Sequence, residues 1–185
     1  MSVETTRQLI FEYDYHQLYL YDQDLVTWPE DDTFCLYRDA LDDAYKQGLK
    51  IGMAGGLVDL LMVRETNFEA ALELEICSAA PELDASEWES IVEFPLSLPS
   101  GTLLLAASGS TGEKSVELTA GNYQARWSGA KLAEAADWKC PKDDEDANPP
   151  DRYRLQLWPL EGEGTVREVK LSPAYPSFLS QRPQV

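Results

Sequence analysis

The sequence predicts a mainly β protein, an antiparallel β-sandwich with one short α-helix. Three observations lead to this prediction. Hydrophobic and polar residues alternate with a period of two over most of the chain, turn signals rich in Gly, Pro and Asn separate the alternating stretches, and one segment has helical spacing instead. Many short strands divided by regularly spaced turn signals are typical of two packed antiparallel sheets.

The predicted strands follow from this alternation. The first stretch covers residues 9–21 and forms either one long strand or two strands joined near Asp14. The further strands cover residues 57–63, 69–77, 89–96, 102–107, 115–118, 123–128, 153–158 and 165–171. Residues 52–56 are predicted to form a strand turn or bulge rather than a phosphate-binding loop, because no Gly-Lys-Ser/Thr ending follows them. Residues 109–112 are predicted to form a hairpin turn.

The predicted helix covers residues 36–49, with Gly48 as its stop signal. Its hydrophobic residues recur at helical spacing, and they are Leu36, Ala40, Leu41, Ala44 and Tyr45. A single amphipathic helix in a β-rich chain must bury its apolar stripe against a sheet. We therefore expect it to cover one edge or end of the sheets.

The length predicts one domain over residues 1–185. A chain of 185 residues can bury about 70% of the surface that its unfolded form exposes, so a single core suffices. Residues 172–185 are rich in proline and are predicted to form an extended or mobile tail. If the tail is ordered, Tyr175 and Phe178 are the residues expected to anchor it.

The charge is strongly acidic. Thirty-three Asp and Glu residues against fifteen Lys and Arg residues give a formal charge of −18, although 44% of the chain is hydrophobic enough to build a core. A folded polyanion repels nucleic acid and anionic membranes and attracts basic proteins and cations. A basic protein partner is therefore predicted, and the alternative is that the charge only keeps a cytosolic protein soluble.

The cysteines and the first residues indicate a cytoplasmic protein. Cys35, Cys77 and Cys140 are far apart and odd in number, which suits reduced thiols better than a disulfide framework. They form no Cys-x-x-Cys pair, so a zinc site is not expected. The first residues lack a basic region followed by an apolar run, and no stretch approaches the 18 or so apolar residues of a membrane span.

Four segments together resemble the bacterial competence protein J family, ComJ. Residues 15–22 (YHQLYLYD), 38–48 (RDALDDAYKQG) and 52–56 (GMAGG) occur in the family's order, and the hairpin at 116–124 (VELTAGNYQ) fits as well. The resemblance implies a small acidic protein that binds and inhibits a nuclease, and related domains serve as immunity proteins against nuclease toxins. It brings no catalytic residues with it.

The resemblance covers roughly residues 11–128, and the chain departs from the family beyond that point. It is longer, with an acidic insertion and a further strand pair after Leu132. We therefore expect the partner and the surface that contacts it to differ from those of the family.

Two acidic runs that contain aromatic residues are the predicted partner-binding surface. In the first run the candidate residues are Trp28, Glu30, Asp31, Asp32, Asp39, Asp42 and Asp43. In the second run they are Trp138, Asp143, Asp144, Glu145 and Asp146. Carboxylates can occupy the phosphate-binding positions of a nuclease cleft while an aromatic side chain supplies apolar burial. The alternative is that each run is a solvated loop and that Trp28 and Trp138 pack at loop bases.

The sequence favours a catalytic or metal-binding function less than partner binding. His16 is the single histidine, is predicted to lie within a strand and has no recognisable nucleophile nearby, which favours a hydrogen-bonded structural role. The acidic residues 143–146, followed by Asn148, could bind calcium but lack the EF-hand spacing. The sequence predicts a cytoplasmic inhibitor without cofactor or enzyme activity. The alternatives are a small-molecule or carbohydrate-binding β-sandwich module, a hydrolase with paired carboxylates, and calcium-dependent adhesion.

Overall fold

The chain forms two packed β-sheets, with one long helix against the outer face of the second sheet. The computed structural model describes residues 3–25, 33–107, 113–141 and 147–175, except for the side chains of residues 33 and 34. The strands within these ranges are β1 (Val3–Tyr13), β2 (Gln17–Asp22), β3 (Ile51–Ala54), β4 (Leu57–Leu61), β5 (Asn67–Cys77), β6 (Ser90–Leu98), β7 (Thr102–Ala107), β8 (Lys114–Glu117), β9 (Gly121–Ala130), β10 (Arg152–Pro159) and β11 (Arg167–Lys170). The helices are α1 (Thr33–Gln47) and α2 (Leu132–Asp137), and one 3-10 turn (Gln23–Leu25) follows β2.

The two sheets have simple strand orders. Sheet A contains β1, β5, β10, β9, β6 and β11 in that order, and sheet B contains β3, β4, β2, β7 and β8. Strands β5 and β10 are parallel, whereas the other pairs within the described residues are antiparallel. Strand β10 therefore lies between β5 and β9 and joins the two halves of sheet A. The predicted mainly β, antiparallel sandwich is confirmed, with this one parallel pair as the exception.

Sheet A has one apolar face, as its alternation predicts. In β5, Leu72 and Leu74 are buried in the core, while Glu73 and Glu75 lie on the opposite face. An aromatic cluster fills one part of this core. Its members are Phe11, Tyr13, Trp127 and Tyr153, with the rings of Trp127 and Tyr153 stacked at 5.0 Å between centroids.

Sheet B is covered on both faces, so strands β4 and β7 are buried throughout. In β4, Val58 and Leu60 face the core between the sheets, while Leu57 and Leu61 belong to clusters that also contain α1 residues. A strand buried on both faces has apolar residues on both faces, and β4 (LVDLL) fits this pattern at four of its five positions, Asp59 being the exception.

Helix α1 approaches β3 closely at Gly52. A Cβ atom at this position would lie 1.8 Å from the carbonyl oxygen of Ala40 and 2.7 Å from the backbone nitrogen of Ala44. Glycine is therefore required for the helix to sit on the strand. The helix begins and ends slightly earlier than predicted, and Gly48, at φ +69°, ends it as the sequence indicates.

A row of polar side chains crosses the outer face of sheet A. It passes through five strands, and its members are Glu75, Gln156, Arg126, Glu93 and Arg167. Arg126 donates from Nε to Glu93 over 2.8 Å, and both side chains are 5% exposed. Arg167 donates to the other carboxylate oxygen of Glu93 over 2.7 Å. We call this row the polar ladder, since each member hydrogen-bonds to a neighbour across the sheet.

The first alternating stretch is two strands, and the prediction that His16 lies within a strand is wrong. Tyr15 and His16 form the turn between β1 and β2, with φ of 52° and 63°. His16 is hydrogen-bonded as expected, because its Nδ1 lies 3.1 Å from the carbonyl oxygen of Met62. The predicted strand turn at residues 52–56 is β3 followed by a turn at Gly55 and Gly56, and α2 is a six-residue helix that was not predicted.

The end of the described chain packs on the sandwich. Ser172 is buried, and the ring of Tyr175 is partly buried against the core. Phe178 and the rest of the predicted tail lie outside the described residues, as do residues 109–112. Neither helix in the described ranges is long and apolar enough to span a membrane.

Candidate partner-binding groove

An acidic groove runs between α1 and β3. It has a volume of about 410 Å³, and its lining residues are Asp39, Asp42, Asp43, Tyr45, Lys46, Met53 and Ala54. Asp39, Asp42 and Asp43 are candidates from the first acidic run, and the helix brings them together because they lie three and four residues apart. With Lys46 as the one base, the lining has a formal charge of −2. We call this feature the α1 groove.

Asp43 ties the helix to the neighbouring strand. Its Oδ2 accepts a hydrogen bond of 3.0 Å from the backbone N–H of Met53 and one of 2.6 Å from Nε2 of Gln47. These bonds fix the carboxylate at the wall of the groove. Asp43 therefore has a structural role in addition to the negative charge that it supplies.

Asp39 lies at the exposed side of the same helix. Its Oδ1 is 3.8 Å from Nε of Arg38, and the two side chains are 56% and 59% exposed. An ion pair of this length and exposure is weak, since water screens both charges. The carboxylate of Asp39 therefore remains available to a cation on a partner protein.

Aromatic residues pack between α1 and sheet B. The rings of Tyr19 and Tyr37 lie 4.4 Å apart between centroids, and Tyr21 donates a hydrogen bond of 2.6 Å to Glu113. Burial raises the pKa of Tyr37, and burial followed by the charge of Asp59 raises the pKa of Tyr45. These hydroxyl groups remain protonated at neutral pH, so the aromatic layer adds no charge to the groove.

A buried carboxyl group lies on β4, in the sheet that α1 covers. Asp59 is fully buried, and its Oδ2 accepts a hydrogen bond of 2.7 Å from Nε2 of Gln17. Its Oδ1 has no partner among the described residues. Burial raises the pKa of Asp59 to about 7, and the bond from Gln17 lowers it only in part.

The described part of the second acidic run has a different environment. Arg64 holds Trp138, because its guanidinium lies 5.2 Å from the ring centroid and donates hydrogen bonds to the carbonyl oxygens of Ala135 and Trp138. Trp138 is partly buried at the end of α2 and does not line the α1 groove. This contact matches the alternative of a tryptophan packed at a loop base.

Two further acids, at the ends of the acidic stretches 22–43 and 134–151, are buried structural groups. Asp151 accepts hydrogen bonds from the hydroxyl groups of Tyr13 and Tyr153 and from Nδ2 of Asn67, over 2.7 to 2.9 Å. Asp22 accepts from the backbone N–H and the hydroxyl group of Ser100. Neither carboxylate is exposed to a partner, since both residues are at most 3% exposed.

Eight of the twelve candidates lie outside the described residues. They are Trp28, Glu30, Asp31, Asp32, Asp143, Asp144, Glu145 and Asp146. Four lining residues were not candidates from the sequence, namely Tyr45, Lys46, Met53 and Ala54. Tyr45 and Lys46 follow Asp42 by one helical turn, a spacing that could have identified them. Met53 and Ala54 are in a different element and have no such local signal.

No metal site accompanies the groove within the described ranges. No group of three or more His, Cys, Asp and Glu side chains is placed there to hold a metal ion. Residues 143–146, on which the calcium alternative depends, are outside these ranges.

Two solved structures share the fold. One, described as "Crocagin biosynthetic gene J", has a TM-score of 0.55 and 15% sequence identity over 85% of this chain and 98% of its own. The other is ComJ from Bacillus subtilis, described as an inhibitor of the DNA degrading activity of NucA. It has a TM-score of 0.52 and 17% identity over 85% of this chain and 97% of its own. No family model and no curated protein matches the sequence. The chain therefore has a ComJ-like fold, which confirms the family resemblance at the level of structure.

Proposed function

We propose that this protein is a cytoplasmic inhibitor, or an immunity protein, that binds a basic nuclease or nuclease toxin and occludes its active site. The observation that carries the proposal is the α1 groove on a ComJ-like fold. The protein acts by stoichiometric binding and not by catalysis. Its partner is a protein, and neither nucleic acid nor membrane is bound.

The chemistry of the groove supports a cationic partner. A nuclease cleft presents Lys and Arg side chains to phosphates, and carboxylates can pair with the same side chains. The groove combines the carboxylates of Asp39 and Asp42 with the apolar side chains of Met53 and Ala54. This combination suits a long Lys or Arg side chain, which has an aliphatic stem and a charged end.

The net charge of −18 supports the same partner. Electrostatic steering raises association rates toward about 10⁸ to 10⁹ M⁻¹s⁻¹ at low salt, and it weakens as the ionic strength rises. All twelve acidic and aromatic candidates of the two runs remain part of the proposed surface. Asp39, Asp42, Asp43 and Trp138 form its described part, and of these four Trp138 does not line the α1 groove.

The first experiment identifies the partner and then measures inhibition. Purified protein is used to capture proteins from its host lysate at low salt, and each captured nuclease is purified and titrated with the protein while DNA and RNA cleavage are followed. We expect cleavage to stop near one equivalent and to return at high salt. A captured nuclease that stays fully active at saturation, or the absence of any nuclease, would overturn the proposal and favour the ligand-binding module.

Matched variants test the α1 groove. D39N/D42N removes two charges from the groove, and E161Q/E163Q removes two from an exposed loop after β10. We expect the groove variant to bind about 2- to 30-fold more weakly and the control to bind normally, since each exposed ion pair contributes about 0.2–1 kcal/mol. The variant D143N/D144N/D146N measures the second acidic run in the same way. Equal affinities for D39N/D42N and its control would exclude the groove from the interface.

A further inference from the structure

An unusual cluster lies on the outer face of sheet A, away from the α1 groove. Arg154 on β10 is directly opposite Ser128 on β9, and Arg152 is opposite Ala130. The indole of Trp88 covers this group, with the guanidinium carbons of Arg154 and Arg152 at 4.6 and 5.2 Å from its ring centroid. Two arginines thus flank one tryptophan on the surface of an acidic protein.

Three polar atoms of the cluster are buried without a hydrogen-bond partner within the described residues. They are Nε1 of Trp88, Oγ of Ser128 and Nε of Arg154. Trp88 is 4% exposed and Ser128 is 0% exposed. Buried polar groups are nearly always hydrogen-bonded, and each exception requires an explanation. Arg154 contacts the ring of Trp88 and is paired with Ser128 across the two strands, so we infer that one missing group explains all three exceptions.

The donors define the chemistry of that group. The indole Nε1–H and the guanidinium Nε–H can only donate, and a serine hydroxyl can also donate. The group that satisfies them must therefore be an acceptor. A negative charge on it would be favoured by the guanidinium groups of Arg152 and Arg154, since hydrogen bonds between charged partners are the strongest.

No neighbouring carboxylate in the described residues hydrogen-bonds to Nε of Arg154. Glu73, which is paired with Arg154 across β5 and β10, accepts a hydrogen bond from Gln8. Asp84 accepts two from Ser86, one from its backbone N–H and one from its hydroxyl group. Glu87 forms an ion pair with Arg152 instead of Arg154, with 3.8 Å between Oε2 of Glu87 and Nη2 of Arg152.

Arg126, on the same face of the sheet, is an arginine whose side-chain donors have hydrogen-bond partners. It donates to Glu93, to Gln156 and to the carbonyl oxygens of Pro81 and Glu82. Arg154 has no hydrogen bond of this kind to the described residues, although its environment is equally rich in carboxylates. Its open donor is therefore a local property of the cluster.

We propose that Trp88, Ser128, Arg152 and Arg154 form a binding site for one carboxylate group, from a small carboxylic acid or from the C-terminus of a peptide. The carboxylate accepts from Nε of Arg154, Nε1 of Trp88 and Oγ of Ser128. A single negative charge fits better than the double charge of a phosphate, because Glu73, Asp84 and Glu87 lie nearby and repel the dianion more strongly. Arg152 is exposed and Trp88 belongs to a segment without helix or strand, so we expect these two side chains to move when the carboxylate enters.

The test follows the indole N–H of Trp88 by ¹H–¹⁵N NMR while sodium acetate is added to the full chain. The W88F variant identifies the resonance among those of the five tryptophans. We expect a saturable shift with acetate and none with sodium chloride at the same ionic strength. Acetylated peptides with a free or an amidated C-terminus distinguish the two sources of the carboxylate, because only the free form should bind if peptides are accepted.

Variants separate the donors. R154Q is expected to weaken acetate binding about 10- to 100-fold and S128A about 2- to 10-fold, the effects of losing one charged and one neutral hydrogen bond. R38Q, which removes an exposed arginine from α1, serves as the control and should bind normally. Circular dichroism establishes that each variant is folded, and S128A tests the site if R154Q does not fold.

Three results would overturn the proposal. The first is a shift that is linear in acetate concentration or equal to that caused by chloride. The second is acetate affinity unchanged in R154Q or in S128A. The third is a long-lived water molecule, detected by cross-relaxation with the indole N–H of Trp88, that acetate does not displace. Tighter binding of inorganic phosphate than of acetate would overturn the assignment of a singly charged ligand.

Discussion

The outer faces of the two sheets use charge in opposite ways. On sheet A, the polar ladder pairs Arg126 and Arg167 with Glu93, and the Arg126–Glu93 pair is almost fully buried. On sheet B, α1 presents Asp39 to solvent with one long and exposed ion pair. Charge in the ladder therefore holds strands together, whereas charge on α1 creates a field outside the molecule. Charge therefore serves structure in the ladder, whereas the charge on α1 is the one that we propose for recognition of a partner.

The largest effect is expected where the ladder is broken. E93A leaves the buried guanidinium of Arg126 without its carboxylate, and we expect a loss of about 3–5 kcal/mol in the free energy of unfolding, measured by urea denaturation at pH 7. R167Q removes only the 60% exposed partner of Glu93 and should cost less than about 1 kcal/mol. Similar losses for the two variants would contradict the distinction between buried and exposed pairs.

The loss of stability in E93A is expected to depend on pH. Burial alone would raise the pKa of Glu93, but the hydrogen bonds from Arg167 and Arg126 outweigh it and hold the pKa below its usual value. A carboxyl group with a lowered pKa in the folded state stabilises the protein above its unfolded pKa, and this contribution is lost as the pH falls through the folded pKa. The difference between wild type and E93A should therefore shrink below about pH 4.5.

The next effect concerns the buried carboxyl group beneath α1. The pKa of Asp59 is about 7 in the folded protein against an ordinary value of 3.8, so the folded state binds more protons between these two pH values. Stability should therefore fall as the pH rises through this range, by roughly 2–4 kcal/mol. D59N should lack this component, and thermal unfolding of both proteins from pH 4 to pH 8 measures it. Parallel curves for D59N and wild type would show that Asp59 titrates normally.

A smaller effect is expected where the helix meets the strand. G52A places a Cβ atom against the backbone of α1, and we expect it to cost about 1–3 kcal/mol and to distort the α1 groove. G121A is the matched control, because a Cβ atom there has no neighbour within 4 Å. Urea denaturation measures both variants, and equal stabilities would mean that α1 moves away from β3 without cost.

The smallest change in stability is expected for an exposed charge on α1. D39N removes an exposed charge from α1, and we expect the free energy of unfolding to change by less than about 0.5 kcal/mol. E161Q should behave in the same way at another exposed position. A loss above 1 kcal/mol in D39N alone would show that α1 uses its surface charge for stability, as the ladder does.

The strands were predictable because their signal is local. Alternation in β5 and β9 and the turn glycines located most elements, and Gly48 marked the end of α1. The turn at Tyr15 and His16 was not predictable, since two residues other than glycine adopt positive φ there. Hydrogen bonds of His16 to residues 62 and 65, which are distant in the sequence, hold this turn in place.

The candidate groove was predictable only in part. The helix placed Asp39, Asp42 and Asp43 together, but the approach of Met53 depends on pairing between β3 and β4 and on the absence of a side chain at Gly52. The burial of Asp22 and Asp151 could not be predicted from the sequence either. Their burial depends on Tyr13, Asn67 and Ser100, which lie far from them in the chain. The number of acidic residues can be read from the sequence, whereas the exposure of each side chain depends on tertiary contacts.

The position of β10 between β5 and β9 has a consequence for how the protein folds. Until residues 152–159 are available, sheet A consists of two separate pieces, β1 with β5 and β9 with β6. The pairing of β10 with β5 joins residues about 80 positions apart, and contacts of such high sequence separation form slowly. During synthesis, the edges of β5 and β9 therefore stay unpaired until the last fifth of the chain has emerged, and this is the interval in which a chaperone would be of most use.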